Sequence, residues 1–241
     1  MEKLIVNSAY SNIKGLFRVG GVSAIVLSIS YIIITVLYVF GGALPSGCEE
    51  WLKHLAKHTL EWRAITGFSV LTDFLFLFVL WSLYCVLKEV NKNATLAGIG
   101  FVGLFVILDL AVTWPNYASL INLSSKYAAA INDTERMTFV AAADYAFGVL
   151  SSRLFAVYAI LVPALGTLII GLVMLKGTFN KITAYIGVIT GIFGIISVVG
   201  PLFIAALGMT AIITSVFTTL WVLLVGFKLL KLSHQCIILE S

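Results

Sequence analysis

The sequence predicts an all-α integral membrane protein, a six-transmembrane-helix bundle that carries an amphipathic interfacial helix on its extracytoplasmic side. Three observations predict it. The 241 residues are 61% hydrophobic and 11% charged, against roughly 25% charged in a soluble domain. The apolar residues fall in runs of the length, about 20 residues, that crosses a bilayer as a helix. Charges and turn-forming residues collect between those runs. Six crossings leave no room for a separate soluble catalytic domain, so residues 1–241 read as one polytopic membrane domain.

Residues 1–18 form a polar lead with Lys3, Lys14 and Arg18, and the first span covers residues 19–40. That run is too long for a signal-peptide core, and Gly41, Gly42, Pro45 and Gly47 stop it. Within it Ser28, Tyr31, Thr35 and Tyr38 share one helical face. Residues 48–63 are too charged to cross. Trp51, Leu52, Leu55, Thr59 and Trp62 project on one side of that segment, and Glu50, His54, Lys57, His58 and Glu61 on the other. The pattern is that of a helix lying in the interface with its tryptophans at headgroup level.

The second span follows at residues 64–87, and after a short turn the third at 94–115, where Pro115 disturbs or ends it. Asn132 and Asp133 are helix-starting residues, and the helix they open runs without a proline into the fourth span, residues 154–175, entering the bilayer near Arg153. Between Lys181 and Lys228 there is no charge, which leaves the fifth span at 182–200 and the sixth at 206–228 around Gly200 and Pro201. Gly187 and Gly191 have the GxxxG spacing of close helix contact, and threonine recurs at positions 210, 214 and 218.

Charge sets the expected orientation. Lys3, Lys14, Arg18, Lys88, Lys92, Lys176, Lys181, Lys228 and Lys231 fall on one side of this topology in short loops. Lys53, Lys57, Arg63, Lys126, Arg136 and Arg153 fall on the other, offset by acids. The positive-inside rule then places both termini in the cytoplasm of a multi-pass cell-membrane protein. The net charge of +4 belongs to span ends facing membrane lipid, and basic residues nowhere cluster with aromatics as a nucleic-acid surface requires. Cys48, Cys85 and Cys236 are too scattered for a disulfide framework or metal knuckle, and Cys236 lies where acylation is chemically open.

The candidate site begins with Asp73 and Asp109, each alone inside an apolar span. A charge at the bilayer centre costs roughly 2.5–3.5 kcal/mol on insertion scales, so both acids must face the interior of the protein. Thr66, Ser69 and Asp73 fall on one stripe, and Asp109, Thr113 and Asn116 on another. With Tyr31, Tyr38 and Arg153 they outline a polar cavity that opens outward and binds or passes a small solute, a cation or a lipid headgroup. For the same residues, an Asp to Arg153 pair that only holds helices together is the structural alternative. His54 and His58, four residues apart and flanked by Glu50 and Glu61, have a spacing open to zinc or another divalent metal. No other cofactor is expected, and no phosphate loop, GxSxG or paired-cysteine signature is present.

Three stretches carry a resemblance: Lys14 to Gly21; Asp73 followed by Leu83, Tyr84, Leu87, Lys88, Val90 and Asn91; and Gly171 to Gly187. In these the chain resembles an uncharacterised prokaryotic family of six-span membrane proteins catalogued only as a domain of unknown function. The resemblance implies six spans and supplies no activity. The leading expectation is a non-enzymatic membrane protein with an outward-facing cavity. The alternatives are an accessory or scaffold subunit of a larger membrane complex and a metal-dependent intramembrane enzyme.

Overall fold

A computed structural model describes residues 2–42 and 45–238, with side chains over 14–42 and 45–235, so the Lys3 and Cys236 side chains lie outside the described residues. Among the described residues all regular structure is helical: α1 (Glu2–Gly41), α2 (Cys48–Lys57), α3 (Thr59–Leu108), α4 (Trp114–Ala129), α5 (Asp133–Leu150), α6 (Arg153–Ala156), α7 (Val162–Met174), α8 (Lys181–Val199) and α9 (Thr210–Ile238). Two π-helical turns, Asp109–Thr113 and Val157–Leu161, join α3 to α4 and α6 to α7.

Among the described residues, five helical stretches are long and apolar enough to cross a membrane, and one of them, Thr59–Ala129, is 71 residues long. A straight helix of that length would extend about 105 Å, more than three times the hydrocarbon core. It is not straight. Asn91 has extended backbone angles (φ −159°, ψ 95°), its side chain caps the second limb by accepting from the Ala94 N–H at 3.0 Å, and Thr95 Oγ1 reaches Leu87 O, eight residues back, at 3.2 Å. Eight residues of helix would hold those atoms roughly 12 Å apart. The chain therefore folds back at Asn91, and the 71-residue stretch supplies two crossings.

The crossings form a ring. The first limb of α3 packs on α1, the second on α7, then α7 on α8, α8 on α9, and α9 closes on α1. Leu27, Val79, Leu83, Ile170, Met174, Trp221 and Leu229 are buried at its centre. Small residues set the spacing: a Cβ on Gly171 would meet the Val188 backbone nitrogen at 2.7 Å, and one on Gly166 would meet Gly98 O at 2.6 Å. Such approach is the usual device of helices whose outer faces meet lipid. Those faces are apolar and exposed here, with Ile29, Ile32, Leu77, Phe78, Trp81, Ile212 and Val216 among them.

A second core sits over the end of the bundle remote from Asn91. There α2 and α5 pack on α4 and bury Trp51, Leu52, Leu55, Leu120, Ile121, Ala143 and Ala146 together with Trp62 and Ile65 of α3. The amphipathic helix is present but shorter than residues 48–63: α2 ends at Lys57, His58 breaks the helix (φ −117°, ψ 37°), and Glu61 and Trp62 belong to the next span. Its tryptophans pack inside the protein rather than facing lipid. Trp51 and Trp62 are 9% and 2% exposed because the apolar face of α2 is covered by α4.

Pro115 disturbs the helical path without ending it, since a π turn precedes it and α4 continues through it. A further expectation is corrected. The helix capped by Asn132, whose Oδ1 accepts from Glu135 N–H at 2.8 Å, does not run on into the fourth span. It stops at Leu150, and Ser152 caps a new helix that begins at Arg153.

Candidate functional site

The ring leaves a cavity of about 400 Å³ in its cap-side half. From α1 come Tyr31, Thr35 and Tyr38; from α3 come Ser69, Thr72, Asp73, Phe76 and Phe105; Asp109 and Thr113 come from the first π turn; Trp114 and Tyr117 come from α4. Phe155, Ala159 and Pro163 close one wall, and Thr190, Thr214, Ser215 and Thr218 another. Asp73 and Asp109 are buried, at 2% and 6% exposure. The indole N–H of Trp114 donates to Asp73 Oδ2 at 2.7 Å.

The π turns set this geometry. A proline has no N–H, and its ring crowds the carbonyl four residues back. Both π turns end two residues before a proline, Pro115 and Pro163, and a wider turn relieves that crowding. In the first, the Trp114 N–H bonds back five residues to Asp109 O. Residues five apart then share a face, so Asp109 and Trp114 both point into the cavity. The two π turns also touch, through a 3.1 Å hydrogen bond between Thr113 Oγ1 and Tyr158 Oη. Such turns are frequent at functional sites.

Six of the threonine hydroxyls have a common polarity. Thr35, Thr72, Thr167, Thr190, Thr214 and Thr218 each donate to a carbonyl three or four residues back on their own helix. Their protons are engaged, and what they offer the cavity is oxygen lone pairs. No lysine, arginine or histidine is among the lining residues. Towards the cap, Tyr38, Trp114 and Tyr117 roof the space. Trp62 packs behind them, with its ring centre 5.3 Å from Tyr38 and 5.5 Å from Tyr117, and Trp51 lies 5.2 Å from Trp62.

Of the residues the sequence singles out, Tyr31, Tyr38, Ser69, Asp73, Asp109 and Thr113 meet at this cavity. Asn116 does not: its Nδ2 donates to Val112 O at 2.7 Å on its own helix, because the π turn breaks the α-helical spacing that aligned it with Asp109. Arg153 is exposed at the start of α6, and among the described residues neither aspartate forms an ion pair with it. Trp114 and Tyr117 are the residues that helical periodicity misses; a proline two positions beyond a polar stripe was the available signal.

The His54 and His58 rings lie 5.0 Å apart, centre to centre, and Glu61 Oε1 is 3.8 Å from His58 Nδ1. Glu50 is not joined to them by any hydrogen bond or ion pair among the described residues, and there no three His, Cys, Asp or Glu side chains are grouped to hold a metal ion. Burial, with His58 and Lys57 beside it, pushes the His54 imidazole below its ordinary pKa. Its ring packs edge-on against Trp51 and Trp62.

No curated protein and no solved structure matches the chain. The family model described as a domain of unknown function, DUF4386, matches residues 15–231. The chain, a multi-pass helical membrane protein, belongs to that family.

Proposed function

We propose that this protein binds a small organic cation in the cavity that Asp73 and Asp109 line. The observation that carries the reading is the charge imbalance of the lining: two buried carboxylates, six threonine hydroxyls presented as acceptors, and no basic side chain. A buried carboxylate needs a countercharge or a proton. A bound ammonium group supplies the countercharge that the chain does not. The faces of Tyr31, Tyr38, Phe76, Trp114 and Tyr117 complement it, since aromatic faces attract cations. The cavity volume suits a ligand of drug-like size or smaller.

In this reading both termini are cytoplasmic and the cap lies outside, as the lysines at the Asn91 end require under the positive-inside rule. The test is equilibrium binding of alkylammonium ions to the purified protein, beside Asp73→Asn and Asp109→Asn. Both variants are expected to fold and to lose at least tenfold in affinity. Two variants that bind as the wild type does would end the proposal.

A further inference from the structure

The shape of the cavity mouth bears on how a ligand reaches the acids. Of all the lining residues, two have exposed side chains, Thr35 on α1 and Ser215 on α9. These are the two helices whose contact closes the ring. At the end near Asn91 they touch closely: a Cβ on Gly21 would meet Gly226 O at 3.0 Å, and Ser28 Oγ donates to Thr219 O at 3.4 Å. Further towards the cap, the facing positions Tyr31, Thr35, Thr218, Ser215 and Thr214 line the cavity instead. The seam between α1 and α9 is thus tight at one end and open at the other.

That opening faces the bilayer. Ile32 and Val36 flank Thr35, and Ile212 and Val216 flank Ser215; all four are exposed apolar side chains on the outer surface of the ring. Thr35 lies six residues before the end of α1 and Ser215 five after the start of α9, so the mouth sits about 7–9 Å along either helix from its cap-side end. Meanwhile the aromatic roof of Tyr38, Trp114 and Tyr117, backed by Trp62 and Trp51, stands between the acids and the water above the cap.

We infer that the ligand is an amphiphilic amine taken laterally from the bilayer through the seam between α1 and α9, its ammonium head at Asp73 and Asp109 and its apolar tail between Thr35 and Ser215. This rests on the cation reading above and adds the class of cation and its route. A hydrophilic cation would have to cross hydrocarbon to reach this mouth. An amphiphilic one already lies in the interface with its head near the surface and its chain beneath it. Such a ligand leaves its chain in lipid while its head exchanges water for carboxylates.

The test uses the full chain in phosphatidylcholine nanodiscs with two probes, tetramethylammonium and dodecyltrimethylammonium. Wild type is compared with Asp73→Asn, with the mouth variants Thr35→Trp and Ser215→Trp, and with Leu172→Trp on the lipid face of α7 as a control. The long-chain probe is expected to bind at least tenfold more tightly than the short one. Its binding should fall at least tenfold in both mouth variants and stay unchanged in Leu172→Trp. Equal affinity for the two probes, or mouth variants that bind like wild type, overturns the lateral route, while loss of binding in Asp73→Asn still upholds the cation site. If neither probe binds wild type, both readings fall.

A second measurement needs no substitution. A dodecylammonium with a diazirine a few carbons from its head should label wild-type α1 and α9 beside Thr35 and Ser215. Labelling spread evenly over the lipid-facing helices overturns the inference.

Discussion

A single indole hydrogen bond ties the two acid-bearing limbs together. Trp114 Nε1 lies 2.7 Å from Asp73 Oδ2, and leaving a buried acceptor without its partner costs about 1–3 kcal/mol. Trp114→Phe keeps the ring and removes the donor, so it is expected to lower unfolding stability by that amount; a change under about 0.5 kcal/mol would show the bond to be dispensable. In the cap, Glu49 Oε1 accepts from Tyr127 Oη at 2.7 Å and pairs with Lys53 Nζ at 2.7 Å. Lys53 first, and Tyr127 with it, hold the carboxyl below its usual range. Its folded pKa being depressed, this contribution is present above the ordinary value of about 4.3 and is lost as pH falls through the folded value. Acidification should therefore loosen α2 from α4 in the wild type, read by tryptophan fluorescence, and Glu49→Gln should show no such step. The sequence identified Asp73, Asp109 and the tyrosines because an acid in an apolar run has one tolerable environment. It did not identify Trp114, since an indole is at home in core, roof or interface alike.

Helices here are shaped more by their interruptions than by their apolar faces. Asn91 makes a hairpin out of one long helical stretch, and its side chain caps the returning limb. Asn91→Ala should cost about 1 kcal/mol, the usual loss on removing a cap, measurable as a lowered Tm in detergent. Spacing between helices depends on glycine. Gly171→Ala brings a Cβ to 2.7 Å from backbone, whereas Gly100 has nothing within 4 Å, so the first substitution should destabilise by about 1–3 kcal/mol and Gly100→Ala should not. The all-helical membrane fold was legible from hydropathy, and GxxxG pointed rightly to the close packing at Gly187 and Gly191. The π turns were not legible. Helical periodicity assumes one pitch throughout, and the extra residue in each turn throws off every position beyond it, which is why Asn116 rather than Trp114 was aligned with Asp109.

As a whole, the molecule has one end studded with Lys88, Lys92, Lys176, Lys181, Lys228 and Lys231 and another covered by a compact helical cap. Fluorescent-protein fusion to the C-terminus tests the orientation proposed from that asymmetry. Fluorescence in living cells is expected, and a dark but stably inserted fusion would invert the topology. The cap was only half legible. An amphipathic helix beside a membrane protein can lay its apolar face on lipid or on another helix, and the sequence of residues 48–57 suits both. Only the apolar faces of α4 and α5, far along the chain, decide for protein.

The paired π turns also bear on how this fold tolerates length changes. Each holds one residue more than an α-helical turn needs, so deleting a residue within 109–113 would shorten the third crossing by only about 1.5 Å and leave the membrane span intact. Downstream side chains would keep their faces when the residue removed is one of 110–112, because closing the turn to α-helical pitch puts Trp114 four and Tyr117 seven residues after Asp109, both spacings that share a face. A one-codon deletion there would leave the indole ceiling in place, whereas the same deletion in an ordinary helical stretch would turn every later side chain by about 100°.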